Sequence, residues 1–282
     1  MDAVVRWVEE SPYTRALGMR LRAIDERGAT IELPFRDGNA NPGKALHGGC
    51  AASLAATGAQ CVTRAAMGDA AGPWHTASVQ IDYLAAAIGE DVHATARLLR
   101  RGKDMCFVEV DVATPDDKSI AHATALVRAR HGAAPVARYA TAGDDGGADP
   151  GPMGPHIVKT PYMAARRIVV EHMQGGRSRL TMPAAGANAD LAGGAHEGAI
   201  LALLDTTGAM AAWAETGPGR YKASTPSLQG QVLAAPAPEQ DLVAYGRVVQ
   251  RDGAIFWSDV EVAGRDDGCV VARGTVVYRI VT

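Results

Sequence analysis

The amino-acid sequence predicts an α+β fold built from two copies of one unit, each a buried helix followed by an antiparallel run of strands. Three observations predict it. The first is internal repetition at a spacing of 149 positions within the 282 residues. Tyr13 answers Tyr162, Leu33-Pro34 answers Met182-Pro183, Asn39 answers Asn188, and His47 answers His196. Gly49 answers Gly198, and Ser78-Val79-Gln80 answers Ser227-Leu228-Gln229. Past Gln240 the spacing becomes 150, so that Asp91 answers Asp241 and Asp116-Asp117 answers Asp266-Asp267. Order kept over both halves is the mark of a duplicated unit. The second observation is the stretch from Ala142 to Pro152, rich in Gly, Asp and Pro and almost free of apolar residues. Such a segment contributes nothing to a core and reads as a flexible linker. The third is a switch within each half from a helical to a strand-like apolar pattern.

These observations place an N-terminal domain at 1–135, a linker at 136–156 and a C-terminal domain at 157–282. In the first half a short amphipathic helix is expected over 3–17, then two short strands over 20–24 and 29–35. The segment 50–66 is rich in Ala, with its larger apolar residues at Leu54, Cys61 and Val62, which suits a buried helix. Gly68 is placed to end it. Strands follow over 76–84, 92–99, 105–113 and 120–130. In Val108-Glu109-Val110-Asp111-Val112 the valines and the acids take opposite faces. Pro115-Asp116-Asp117 and Arg251-Asp252-Gly253 are turn sequences, so the strands form hairpins. A helix needs an apolar surface to cover it, and the strand set provides one.

Composition narrows the function. Aromatic residues make up only 5% of the chain, so the core must come from Ala, Val, Leu and Ile. A net charge of −3 without a long basic run argues against nucleic acid as partner. No apolar run is long enough to span a bilayer, and the N-terminus is too polar for a signal peptide, so a cytoplasmic location is expected. The four cysteines, Cys50, Cys61, Cys106 and Cys269, contain no C-x-x-C pair. Cys50 follows the His-Gly-Gly, where a helix start lowers a thiol pKa, but a small buried residue on an Ala-rich helix is the favoured reading. Histidines and acids do not recur at metal-ligand spacing, and His75, His93 and His122 have no evident partner. Neither a metal nor a cofactor is expected.

The residues with chemical promise sit in the repeat itself. The first copy reads Asn41-Pro42-Gly43-Lys44-Ala45-Leu46-His47-Gly48-Gly49 and the second Asp190-Leu191-Ala192-Gly193-Gly194-Ala195-His196-Glu197-Gly198. Nine residues after His196 stands Asp205, whereas nine residues after His47 stands Ala56. An acid inside an apolar helix, flanked by Leu203-Leu204 and Thr206-Thr207-Gly208, calls for a functional reason. Its setting should raise its pKa.

Asn-x5-His-Gly-Gly, a buried helix with an acid nine residues past the His, and a long strand set resemble the hotdog-fold acyl-CoA thioesterases of the phenylacetyl-CoA type. The resemblance covers roughly 1–135 and 157–282 and implies a double hotdog, the usual homodimer fused into one chain. It implies that the acid on the helix of one hotdog acts on a thioester held by the Asn, His and Gly of the other. Carried onto this sequence, Asp205 is the acid and Asn41, His47 and Gly48 are the opposing set. Tyr83 is the aromatic that marks Thr76 as a strand hydroxyl, and Thr225 is its equivalent on the half that carries Asp205. The second set, Asp190, His196 and Glu197 facing Ala56, lacks the acid and the first Gly, which implies one working site and one degenerate one.

Thioester hydrolysis needs a nucleophile and a home for the developing oxyanion. The Gly48 N–H at a helix start can supply the second, with Gly49 as a lesser candidate. Asp205 can attack directly or activate water, and Thr225 can orient either. Arg100, Arg101 and Lys103 are the candidate contacts for the anionic CoA, with a solvated hairpin cluster as the plain alternative. The expected substrate is thus an acyl-CoA, and the resemblance allows further association of double units. Two other activities stay open: a non-catalytic acyl-CoA binder, and a hotdog hydratase, whose Asp-x4-His pattern is not found around His47 or Asp205.

Overall fold

A computed structural model of the protein describes residues 2–133, 138–144, 146–184 and 186–281. Two 20-residue helices dominate it, α3 (Gly48–Met67) and α6 (Glu197–Thr216), whose first residues lie 149 positions apart. Before them come α1 (Asp2–Glu10), α2 (Pro12–Leu17), α4 (Gly154–Ile157) and α5 (Pro161–Arg166). The strands of the first half are β1 (Arg20–Ile24), β2 (Gly28–Leu33), β3 (Trp74–Tyr83), β4 (Val92–Arg101), β5 (Met105–Ala113) and β6 (Ser119–Ala129). Those of the second are β7 (Val169–Gln174), β8 (Arg177–Met182), β9 (Lys222–Val232), β10 (Leu242–Asp252), β11 (Ile255–Gly264) and β12 (Val270–Val281).

All of them join one antiparallel sheet in the order β1-β2-β4-β5-β6-β3-β9-β12-β11-β10-β8-β7. The order reads the same from either edge when repeat partners are exchanged. At the centre β3 pairs with β9, and Gln80 lies opposite Gln229, its own repeat partner. The two halves therefore meet about a pseudo-twofold axis, as two identical subunits would.

The helices also meet across this axis, and small residues decide how closely. A Cβ on Gly49 would stand 2.5 Å from the Ala202 Cβ, and one on Gly198 would stand 2.9 Å from the Ser53 Cβ. These glycines let the N-terminal turns of α3 and α6 touch. At the contact, the Tyr13 hydroxyl lies 2.9 Å from the Tyr162 hydroxyl and 2.7 Å from Ser53 Oγ. Both tyrosines are fully buried, and the Arg166 guanidinium lies over both rings at 5.6 and 5.9 Å.

Three expectations change. The single helix over 3–17 is two, because Pro12 lacks the N–H an interior position needs and instead starts a second helix. The linker residues 136, 137 and 145 lie outside the described residues, but the described part of the segment is docked rather than loose. Ala140 bridges to Cys269, Thr141 Oγ1 donates to Glu261 at 2.9 Å, Asp144 pairs with Arg179, and Asp149 bridges to His172. Strand-like bridges, a hydroxyl and an ion pair hold it to the second half, and Met153 packs against the core. Finally, His122 has a partner: its Nδ1 lies 2.8 Å from Asp111 Oδ1 on adjacent strands. Glu109 completes this largely solvent-facing group.

Candidate active site

The repeat motif forms the same local structure twice. His47 caps α3, its Nδ1 accepting the Gly49 N–H at 3.0 Å, and His196 caps α6 by accepting the Gly198 N–H at 3.0 Å. A helix start leaves its first N–H groups unpaired, and a side-chain acceptor there satisfies one of them. Each cap is braced by a tyrosine from the other half. Tyr162 stacks on His47 at 4.1 Å with planes 6° apart, and Tyr13 stacks on His196 at 5.2 Å. Burial pushes the His47 pKa down to about 4, so the ring is neutral at physiological pH, as an Nδ1 acceptor must be.

Because His47 uses the Gly49 amide, Gly49 is a capping and packing residue rather than a free donor for substrate. The Gly48 N–H, first in the helix, has no partner within it. Asn41 shapes the loop: its Oδ1 accepts from Gly43 N–H at 2.8 Å and from Ala45 N–H at 3.1 Å. That is an Asx turn, a role in building the loop that involves no substrate.

The acid arrives from the facing helix. Asp205 is only 3% exposed, and its Oδ1 accepts from Thr225 Oγ1 at 3.0 Å. Its Oδ2 points at the Gly48 backbone, where a Cβ would stand only 2.7 Å away. A side chain at position 48 would therefore have to displace the carboxylate opposite it. Burial lifts the Asp205 pKa from 3.8 to about 6, against the opposing pull of the Thr225 hydrogen bond. Tyr83 completes this wall, its hydroxyl donating to the Gly48 carbonyl at 3.3 Å. Sequence reasoning used Tyr83 only as a landmark. Its place at the end of β3, with β3 at the sheet centre, is what brings it to the acid.

Arg100, Arg101 and Lys103 do not share this neighbourhood. Arg101 pairs with Cys106, Met105 with Arg128, and Arg128 with His75 near the start of β3. Tyr83 lies eight residues further along that strand, about 26 Å at roughly 3.3 Å per residue. The cluster therefore flanks the other copy of the motif. Nearer Thr225 are the exposed Lys222, three residues before it on β9, and Arg279, which pairs with Ser224. A cleft of about 430 Å³ lined by Asp144, Arg177, Tyr245, Arg247 and Glu261 does not include Asp205. It is formed where the docked linker meets β10 and β11, not at the helix contact.

At the second copy, Glu197 fills the position equivalent to Gly48. Its Oε2 accepts from Gln60 Nε2 and, at 3.1 Å, from the Thr76 N–H, while Oε1 lies 3.5 Å from His75 Nδ1. His75 thus gains a partner that its sequence spacing did not reveal. Asp190 accepts from Trp7 Nε1 at 2.7 Å, and Trp7 stacks on His196. Thr76 has no acid to bind, since Ala56 stands where Asp205 does in the other half. Cys50 is inert here, because burial raises its thiol pKa to about 12.

Residues 36–128 match the family model of the acyl-CoA thioesterase N-terminal domain. No curated protein matches the chain. Among solved structures, the tesB protein of Mycobacterium avium subspecies paratuberculosis superposes with a TM-score of 0.67 at 14% identity, covering 98% of this chain and 100% of its own. An acyl-CoA thioesterase II from Mycobacterium marinum gives 0.64 at 11%, covering 94% and 95%. A protein of unknown function with a hot dog fold from Alicyclobacillus acidocaldarius gives 0.63 at 16%, covering 93% and 96%. These structural matches establish a hotdog fold, and the domain match supports a thioester hydrolase. Among the described residues, no helix is long and apolar enough to cross a membrane.

Proposed function

We propose that the protein is an acyl-CoA thioesterase, a double hotdog with domains at 1–135 and 157–282 and one composite site between them. The observation that carries this reading is the meeting of Asp205 Oδ2 with the Gly48 backbone, an acid from one half against a helix start from the other. The thioester carbonyl binds at the Gly48 N–H, where the helix terminus and its dipole stabilise the oxyanion. A donor of this kind contributes about 3 kcal/mol in the transition state. Asp205 acts as general base: it takes a proton from water as the water oxygen attacks the carbonyl carbon. The tetrahedral intermediate then expels the CoA thiolate, which takes that proton to leave as the thiol. A pKa of about 6 leaves Asp205 ionised at neutral pH yet basic enough to accept the proton.

Thr225 fixes the orientation of the carboxylate, and Tyr83 fixes the Gly48 peptide. His47 and Asn41 build the loop and need not touch the substrate. The pairing of this loop with Asp205 supports the phenylacetyl-CoA type of site within the wider thioesterase class. Lys222 and Arg279 provide positive charge for the CoA phosphates in place of Arg100, Arg101 and Lys103.

An acyl-CoA panel read by release of free thiol tests the reading. Hydrolysis of at least one member is expected. Hydration of crotonyl-CoA without thiol release would replace it with the hydratase, and binding without turnover with the acyl-CoA carrier.

A further inference from the structure

The second composite site differs from the first by a matched pair of changes. In the first, Gly48 faces Asp205, and a Cβ on residue 48 would meet that carboxylate at 2.7 Å. A side chain there would have to push the acid out of its place. In the second, the equivalents are Glu197 and Ala56. No acid stands opposite, and the Glu197 side chain extends from its helix to residues of the facing half. Its carboxylate is held by Gln60 Nε2, the Thr76 N–H and His75 Nδ1, with only 13% of the side chain exposed.

The surroundings have kept unmet polar capacity. Thr76, fully buried, has an Oγ1 with no hydrogen-bond partner. Its counterpart Thr225 uses the same atom to bind Asp205. Trp74 Nε1, Arg64 Nε and His196 Nε2 are likewise buried without a hydrogen-bond partner. All lie on residues that touch Glu197 or its neighbours: Arg64 donates to Gln60 at 2.7 Å and lies over Trp7 and Trp74. Buried donors and acceptors normally find partners. Their concentration here fits a cavity that was shaped for a polar ligand and is now filled from within.

We propose that the second composite site is a latent binding site for the thioester end of an acyl-CoA, held shut by the Glu197 carboxylate. This rests on the thioesterase reading. Removing that side chain frees the Thr76 N–H and Gln60 amide for a carbonyl oxygen, and restores the glycine that the working copy has at its helix start. The opened site binds without hydrolysing, because Ala56 supplies no acid and Val232 stands where the first site has Tyr83.

The test is calorimetric titration with the S-alkyl-CoA thioether that matches the acyl chain turned over fastest. Wild type is expected to bind one equivalent and Glu197→Gly two, with hydrolysis at the first site changed less than twofold. Glu197→Gln, which keeps the shape of the plug, is expected to stay at one. Glu197→Ala also opens the cavity and is the second variant if glycine impairs folding. One equivalent in both opened variants, folded by circular dichroism, would overturn the proposal, as would two in wild type. Absence of any hydrolysis or thioether binding by wild type instead overturns the thioesterase reading on which it depends.

Discussion

Replacing Asp205 by Asn is expected to remove a pH-dependent stability penalty along with activity. Burial lifts the Asp205 pKa from 3.8 to about 6. For an acid with a raised native pKa, the favourable contribution is present below the unfolded value and lost as pH rises through the native one. At about 1.4 kcal/mol per pH unit, the loss between pH 3.5 and pH 8 comes to about 3 kcal/mol. Asparagine keeps an acceptor for Thr225 and cannot ionise, so it does not suffer this loss. Any fixed effect of the new amide is the same at every pH. The stability of Asp205→Asn relative to wild type should therefore rise by about 3 kcal/mol across that range. His47 shifts stability in the opposite direction over an overlapping window, but it is present in both proteins and cancels in the difference. Urea denaturation at pH 3.5, 5, 6, 7 and 8 provides the data. A flat difference would show that Asp205 ionises as freely in the folded protein as in the unfolded chain, and would refute the burial argument.

Gly48→Ala brings a Cβ within 2.7 Å of Asp205 Oδ2, an atom that can rotate away. The fold should survive by circular dichroism while kcat falls about 100-fold, the cost of misplacing a reacting group by about 1 Å. Thr225→Val removes the hydrogen bond that lowers the Asp205 pKa. The acidic limb of the kcat/KM profile should move to higher pH, with kcat reduced about tenfold at neutral pH. The His47 pKa is depressed to about 4, so its stabilising contribution is present above pH 6.5 and lost as pH falls towards 4. His47→Asn keeps a capping acceptor without titrating, so its melting temperature relative to wild type should rise as pH falls from 6.5 to 4.

The architecture was largely legible because duplication writes it twice. Periodicity found the strands, and β1 and β5 begin and end where the pattern places them. Other edges differ by one or two residues, since apolar spacing does not encode which backbone group makes the last hydrogen bond. The Asp205–Thr225 pair was legible through the motif, and the structure joins its members at 3.0 Å. Contacts that depend on the pseudo-twofold axis were not. Tyr13 and Tyr162 looked like mere markers of the repeat, yet each braces a histidine of the other half. Arg100, Arg101 and Lys103 were assigned to the mouth because charge near a hairpin is visible in sequence, whereas the end of the sheet on which that hairpin falls is not. Glu197 read as a loss of the motif's glycine. Only its three partners on the facing half reveal that its side chain fills a site.

The most direct measurement compares kcat/KM of wild type and Asp205→Asn on the best acyl-CoA substrate at pH 8, where the wild-type carboxylate is ionised. The account predicts a fall of at least 100-fold in a protein that remains folded, since the carboxylate opposite Gly48 is the base that activates water. Equal rates for the two proteins would contradict it.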